Sequence, residues 1–158
     1  MTTPKFMQGK GDFHVELKRR VNQYFTDKRR PMTGNFSLLF KAALFCTLFI
    51  AIYIHLVFFT PPVWVAIPEC ILFGCLTAGI GFNVMHDGAH GSFSKHKILN
   101  VMAGGSLNFL GGSAIMWNIK HNIIHHTYTN IDGVDDDIEA RPWMRFAFTL
   151  KKLKMHKF

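Results

Sequence analysis

The chain has 158 residues, is 49% hydrophobic with 16 Phe, and carries a formal net charge of +8. This composition is too apolar for an average soluble domain. The basic residues lie in blocks beside apolar runs and not among exposed aromatic side chains, which indicates the flanks of membrane segments and argues against a nucleic-acid partner. The 3 Cys form no CxxC motif, so neither a disulfide framework nor a thiolate metal site is expected.

The first 35 residues are polar and basic and lack the apolar run and cleavage site of a secretory signal peptide. Residues 1–41 are expected to form a basic, amphipathic segment in the cytoplasm. Within residues 12–30, apolar side chains recur at helical spacing between basic ones, which predicts an amphipathic helix in a cytoplasmic segment. Such a helix can be held at the membrane surface by anionic lipid, or can be a solvated helix that packs on its own domain. The pattern fits both interpretations equally. The apolar positions are Phe13, Leu17, Val21, Tyr24 and Phe25.

Two long apolar runs predict a transmembrane helical hairpin. Residues 42–60 are long enough for a crossing of about 20 residues, and they end at a Pro-Pro pair. Residues 63–85 contain glycines that allow close helix approach in a membrane. No Lys or Arg lies between Ala42 and Ser94, whereas nine precede this interval and nine follow it. Both ends of the hairpin are therefore expected to face the cytoplasm.

Two histidine clusters, HDGAH at residues 86–90 and HNIIHH at residues 121–126, contain five of the 9 His. Histidines at positions i and i+4 lie on one face of a helix, where both imidazoles can reach one metal centre. Ionisable residues beside membrane helices are costly and usually functional, so we interpret both clusters as metal ligands. The ligands are His86, His90, His121, His125 and His126. The solitary histidines, which are His14, His55, His96 and His156, are expected to be structural.

The identity of the metal stays open on ligand type alone. Imidazole suits zinc, copper, iron or nickel, but a structural zinc site takes four ligands, so five ligands in two sets favour a pair of metal ions. The zinc-peptidase pattern HExxH is absent, because Asp87 and Gly88 follow His86.

The segment between the two clusters contains a weaker apolar stretch, residues 98–117. Ligands of one centre lie within a few ångströms, whereas a full crossing would separate the clusters by about 30 Å. We therefore predict that residues 98–117 lie at the cytoplasmic interface, and that a helix over about residues 117–127 carries the second cluster.

Polar residues near the histidines are candidates for orienting them, because a ligating His usually donates its second ring N–H to a carboxylate or carbonyl. This role is predicted for Asp87, Asn118, Asn122, Asp135 and Asp137. Other members of the acidic stretch at residues 132–139 are expected to form a hydrated loop.

Residues 81–94, GFNVMHDGAHGSFS, and residues 110–140, LGGSAIMWNIKHNIIHHTYTNIDGVDDDIEA, resemble the membrane fatty acid desaturases, particularly bacterial acyl-CoA or acyl-lipid enzymes of the linoleoyl-CoA desaturase type. HDxxH corresponds to the first histidine box of that family and HNxxHHTYTN to the second. The resemblance implies a cytoplasm-facing centre of two iron ions in a bacterial inner membrane. It also implies O2 as co-substrate and the removal of two hydrogens from a fatty acyl chain, with the five clustered histidines as iron ligands and no separate catalytic residue. Trp117 and Tyr128 fit either an acyl path or interfacial packing.

The expected fold is an all-α membrane protein, with a transmembrane hairpin and interfacial helices that carry the histidine boxes. Because the family's third box, [HQ]xxHH, has no counterpart here, residues 42–158 are expected to be a partial desaturase domain that is inactive alone. No HPGG-like haem motif precedes the first span, so a separate electron donor, a ferredoxin or a small b-type cytochrome, is implied. Two alternatives stay open: a related diiron lipid hydroxylase or ketolase, and a non-catalytic membrane fragment.

Overall fold

The computed structural model describes residues 12–157, and every regular element within that range is a helix. The expected all-α class is thereby confirmed. The chain divides into two compact units. One is Arg20–Ala114, and the other joins Met1–Arg19 to Ile115–Phe158, of which residues 12–19 and 115–157 are described.

The first helix, α1, spans Asp12–Asp27 and buries none of its residues. Its end is a turn in which Arg29 has a positive φ of 49° and the Arg30 N–H donates to the Phe25 carbonyl at 3.0 Å. A hydrogen bond from an N–H to the carbonyl five residues earlier, with a left-handed residue just before the donor, is a common way to end a helix.

The first apolar helix, α2, spans Phe36–Ile54 and continues as a π-helical turn over His55–Phe59. It begins before the predicted start at Ala42, because the Asn35 side chain caps it by accepting the Leu38 N–H at 3.1 Å. The helix ends at Thr60, which has a positive φ of 42° and precedes the Pro-Pro pair.

The second apolar helix, α3, spans Val63–Ile80 and continues through a π-helical turn, Gly81–Met85, into the short helix α4, His86–Ala89. Phe36–Phe59 and Val63–Ala89 are both long and apolar enough to cross a membrane, and only 6% and 11% of their most apolar windows are buried. The apolar surface thus faces outward, as a bilayer requires and a soluble core does not. The two helices fit the expected membrane protein.

The two apolar helices pack closely at one glycine. A Cβ on Gly79 would lie 2.8 Å from the Phe45 ring, whereas Gly74 and Gly81 face open space. Further along the hairpin, Phe49 stacks on Phe73 with ring centroids 4.3 Å apart. Of the three glycines in the second span, only Gly79 serves the close approach expected from the sequence.

Two polar contacts also join the hairpin. Near the connecting turn, His55 Nδ1 lies 2.8 Å from Glu69 Oε1, so this solitary histidine has a structural partner. At the opposite end, Lys41 Nζ donates to Asn83 Oδ1 at 2.6 Å, and Asn83 Nδ2 donates to the Gly79 carbonyl at 2.9 Å. Lys41 therefore ties α2 to the π-helical turn that precedes His86.

The predicted interfacial segment, residues 98–117, is broken into several pieces. The helix α5 spans Lys97–Gly105 and is followed by a 3-10 turn, Ser106–Asn108, and a further turn over residues 109–112. Within this unit, α5 contributes Ala103 to a small core with residues of α2, α3 and the loop after α4. Its placement at a membrane interface stays a prediction.

The second cluster lies on a continuous helical stretch that opens with α6, Ala114–Trp117, widens into a π-helix over Asn118–His125 and closes with α7, His126–Tyr128. After it come two 3-10 turns, Asp136–Ile138 and Lys154–Lys157. Ile138, Ala147 and Leu150 form the small core of this part of the chain. His156 bonds within the same region, with Nε2 2.8 Å from the Pro142 carbonyl oxygen.

Candidate metal centre

The first histidine pair is set by the π-helical turn in front of it. The His86 N–H donates to the Gly81 carbonyl, five residues earlier, so one extra residue is accommodated immediately before the pair. The rings of His86 and His90 then lie with centroids 4.5 Å apart and planes at 64°. His86 is half-buried and His90 is exposed. The predicted i, i+4 proximity within HDGAH is therefore present.

The backbone around this pair is held by main-chain bonds and by a close helix contact. The Asp87 carbonyl accepts from the N–H groups of Ser92 and Phe93 at 2.8 and 3.1 Å. Gly88 touches α5 so closely that a Cβ would lie 2.4 Å from the Gly104 nitrogen. The Asp87 carboxylate is 3.6 Å from His86 Nδ1, which is beyond a direct hydrogen bond.

Asn100 fixes the loop that follows the pair. Its Oδ1 accepts the Ser94 N–H at 2.8 Å, and its Nδ2 donates to the carbonyls of Ser94 and Gly91 at 2.7 and 3.1 Å. One side chain thus replaces the hydrogen bonds that a regular element would make. This explains the position of an Asn inside an otherwise apolar helix.

The second cluster brings three imidazoles together in the π-helix. The rings of His121 and His125 are nearly parallel, with centroids 5.0 Å apart. The His126 ring stands almost perpendicular to both, at 5.1 Å from His121 and 5.5 Å from His125. The sequence predicted that the three rings would come together on an α-helix. In the structure they do come together, but His121 and His125 lie on a π-helix, which has a wider turn.

Two carboxylates hold these rings in place. His121 Nδ1 is 2.5 Å from Asp137 Oδ2, and His125 Nδ1 is 3.0 Å from both oxygens of Asp135. The loop after the second cluster folds back, so that its carboxylates face the histidine helix. The reversal uses Asn130 and Gly133, which have positive φ values of 65° and 77°, conformations that Asn and Gly tolerate best.

The Asp135 carboxylate is buried, with 2% of the residue exposed. Burial alone would raise its pKa, but hydrogen bonds from His125 and from the N–H groups of Asn130 and Asp137 outweigh it and hold the pKa below its usual value. An ionised carboxylate can only accept hydrogen bonds, so His125 donates from Nδ1 and directs Nε2 away as the metal-binding atom.

Within this unit, one ligand atom from each of His121, His125 and Asp137 lies within 4.8 Å of the others. The Asp137 carboxylate of this group also contacts His121 Nδ1, so the atoms left for an ion are the imidazole nitrogens that do not face a carboxylate. Imidazole nitrogens suit iron and zinc alike. The residues present therefore fit a first-row metal.

Other contacts of the second cluster could not be read from the histidine spacing. The Trp117 ring stacks on His121 with centroids 4.3 Å apart, and their i, i+4 spacing is a signal that would have suggested it. Lys120 Nζ binds Asp136 Oδ2 at 2.8 Å, which leaves this acidic residue outside the histidine set. Asn122 Nδ2 donates to Asn118 Oδ1 at 2.8 Å.

Comparison with known proteins places these features in one family. The family model described as fatty acid desaturase matches residues 62–158. An sn-1 linoleoyl-lipid 6-desaturase from Arthrospira platensis is 32% identical over 99% of this chain and 43% of its own length. A protein of the same name from Synechocystis is 31% identical over 98% of this chain and 43% of its own length. An acyl-lipid (8-3)-desaturase from Physcomitrium patens is 30% identical over 82% of this chain and 27% of its length.

The chain spans less than half the length of these curated relatives. No solved structure gives a significant match. The family model covers both histidine clusters and the carboxylates that hold the second one. The chain belongs to the fatty acid desaturase family.

Proposed function

We propose that this chain forms part of a membrane fatty acyl desaturase that introduces a double bond into a fatty acyl chain, using O2 and electrons from a separate donor. The observation that carries the proposal is the second cluster, inside the matched family region, in which the buried Asp135 contacts His125 Nδ1 and the exposed Asp137 contacts His121 Nδ1. Relatives named for linoleoyl-lipid and acyl-lipid substrates favour an acyl lipid over acyl-CoA.

Iron would be held by His86, His90, His121, His125 and His126. Bound iron supplies the O2-dependent redox chemistry that an unactivated C–H bond requires and that side-chain acids and bases lack. The protein's own part is positional. Asp135 keeps a proton on His125 Nδ1, Asp137 is placed to do the same for His121, and Trp117 covers one face of the His121 ring.

An apolar cavity in the unit Arg20–Ala114 is a candidate site for part of the acyl chain. It has a volume of about 730 Å³, within the range of about 300–1,000 Å³ for small-molecule sites. Tyr53 and Phe73 line it from the hairpin, and Phe109 and Leu110 line it from the segment after α5. Its walls are almost entirely apolar, which suits a hydrocarbon tail.

Orientation follows from charge. Lys and Arg are absent between Ala42 and Ser94 and abundant on both sides, so the histidine clusters are proposed to face the cytoplasm of a bacterial inner membrane. A ferredoxin or a small b-type cytochrome on that side would deliver the electrons.

Lipid analysis in a bacterial host tests the proposed function. Because the chain matches 43% of the Arthrospira platensis relative, it is expressed both alone and with the remaining part of that relative supplied in trans. We expect no new double bonds from the chain alone. With the remaining part supplied, we expect new double bonds that require O2, disappear in His125→Ala and persist in His14→Ala. Hydroxylated lipid in place of an alkene would favour the hydroxylase alternative. Iron content that is equally low in the unaltered chain and in His125→Ala would favour a non-catalytic fragment.

A further inference from the structure

The helix α1 carries an apolar face that nothing in the described structure covers. Phe13 is 80% exposed, Tyr24 is 51% exposed and Val21 is 43% exposed. Within residues 12–157 nothing buries these three side chains. An apolar environment beyond the described residues would cover the face.

The charges on α1 are arranged around this face. At about 100° per residue, Lys18 and Arg20 fall at its two edges, while Arg19 lies opposite and is paired with Glu16 at 2.7 Å. Basic side chains at the edges of an apolar face can extend to lipid headgroups while their stems stay in the interface. An acidic protein partner would leave the apolar face in water, so the membrane surface is the better match.

The turn after α1 contains a strained arginine. Arg29 has a positive φ of 49° at a helix end where Gly is the usual residue. Residues in such conformations are concentrated at functional sites. The guanidinium of Arg29 is the group that a Gly at this position would not supply.

Arg29 and Arg30 line an open cleft of about 380 Å³. The cleft is lined by Asn22, Phe25, Thr26, Arg29, Arg30 and Met32. Two arginines in the lining supply the residue type that binds a phosphate through paired N–H groups. The apolar span starts shortly afterwards, at Phe36 in the same unit, which puts the cleft at the level of the headgroups.

We propose that α1 and the Arg29–Arg30 turn form a membrane-surface anchor that binds the phosphate of an anionic phospholipid. The apolar face of α1 enters the interface, and the cleft receives the headgroup. This anchor is independent of the iron site and of the proposed reaction.

Hydrogen exchange of the full chain in lipid nanodiscs tests the anchor. Nanodiscs of phosphatidylcholine alone are compared with nanodiscs that also contain phosphatidylglycerol, and protection is read over residues 12–30. We expect phosphatidylglycerol to raise protection there. Arg29→Gln and Arg30→Gln should each lower that gain about five-fold, which corresponds to about 1 kcal/mol for one basic residue at an anionic surface. The control Arg19→Gln removes the same charge from the opposite face and should leave the gain unchanged.

Arg29→Gly separates the side chain from the turn. Because Gly tolerates the positive φ, the variant should fold at least as stably as the unaltered chain, yet it should lose the phosphatidylglycerol-dependent protection. Retained protection in Arg29→Gly would overturn the headgroup site, as would an equal loss in Arg19→Gln. The same protection in phosphatidylcholine nanodiscs after addition of inorganic phosphate or an acidic peptide would replace the lipid with a soluble ligand.

Discussion

Asp135 decides which nitrogen of His125 can bind a metal. Its buried, ionised carboxylate accepts from His125 Nδ1 at 3.0 Å, and it is itself held by the N–H groups of Asn130 and Asp137. The sequence predicted Asp135 and Asp137, within the acidic stretch, as residues that orient ligands, and in the structure each contacts one histidine. It could not predict which ring each carboxylate contacts, since that depends on the positive φ angles of Asn130 and Gly133 that fold the loop back.

At this scale we expect Asp135→Asn to weaken metal binding by about 10- to 100-fold, the usual effect of losing a carboxylate behind a ligating histidine. The neutral amide can present its NH2 to Nδ1 and favour the wrong tautomer. The measurement is a metal titration of the detergent-solubilised chain with Fe(II) or Co(II).

Asp136→Asn is the matched control, because Asp136 is exposed and pairs with Lys120. Its affinity should stay near that of the unaltered chain. Equal affinities for the Asp135 and Asp136 variants would remove the positioning role assigned to Asp135.

At the scale of elements, the histidine pairs depend on π-helical turns. The turn Gly81–Met85 precedes the first pair, and Asn118–His125 contains most of the second. Hydrophobic periodicity and i, i+4 spacing identify helices and shared faces, but they do not reveal where an extra residue is inserted. The histidine groupings could therefore be predicted from the sequence, whereas the ring orientations could not.

The contact between α4 and α5 gives a second prediction. Gly88 approaches the Gly104 backbone so closely that an added methyl group forces the helices apart. We expect Gly88→Ala to lower the free energy of unfolding by about 1–3 kcal/mol, the usual cost of overpacking. Thermal unfolding in detergent, followed by circular dichroism, measures the change.

Gly74→Ala serves as the control, since a Cβ there meets nothing within 4 Å. This variant should be as stable as the unaltered chain or slightly more stable, because Ala favours helix over Gly. A Gly88→Ala variant as stable as Gly74→Ala would show that α5 yields freely, and that Gly88 does not fix the first histidine pair.

At the scale of the whole molecule, each histidine cluster is organised within its own unit. His86 and His90 lie in Arg20–Ala114, and the other three clustered histidines lie in the second unit. Family membership and the all-helical class could be predicted because two short motifs and two apolar runs suffice for them. That both clusters bind the same iron centre is a separate proposal. Local sequence patterns do not specify how the two units combine, so they could not predict it.

Coupling between the clusters distinguishes one shared centre from two independent sites. If both clusters supply ligands to the same iron centre, His90→Ala and His125→Ala should each lower bound iron substantially. The double variant should then lose little more than the more severe single variant, because sites that act as a unit give strongly non-additive effects. Iron per chain is measured by elemental analysis of purified protein, with the exposed His96→Ala as control. Independent sites would instead give losses that add, and the dinuclear proposal would then be wrong even if each cluster binds metal.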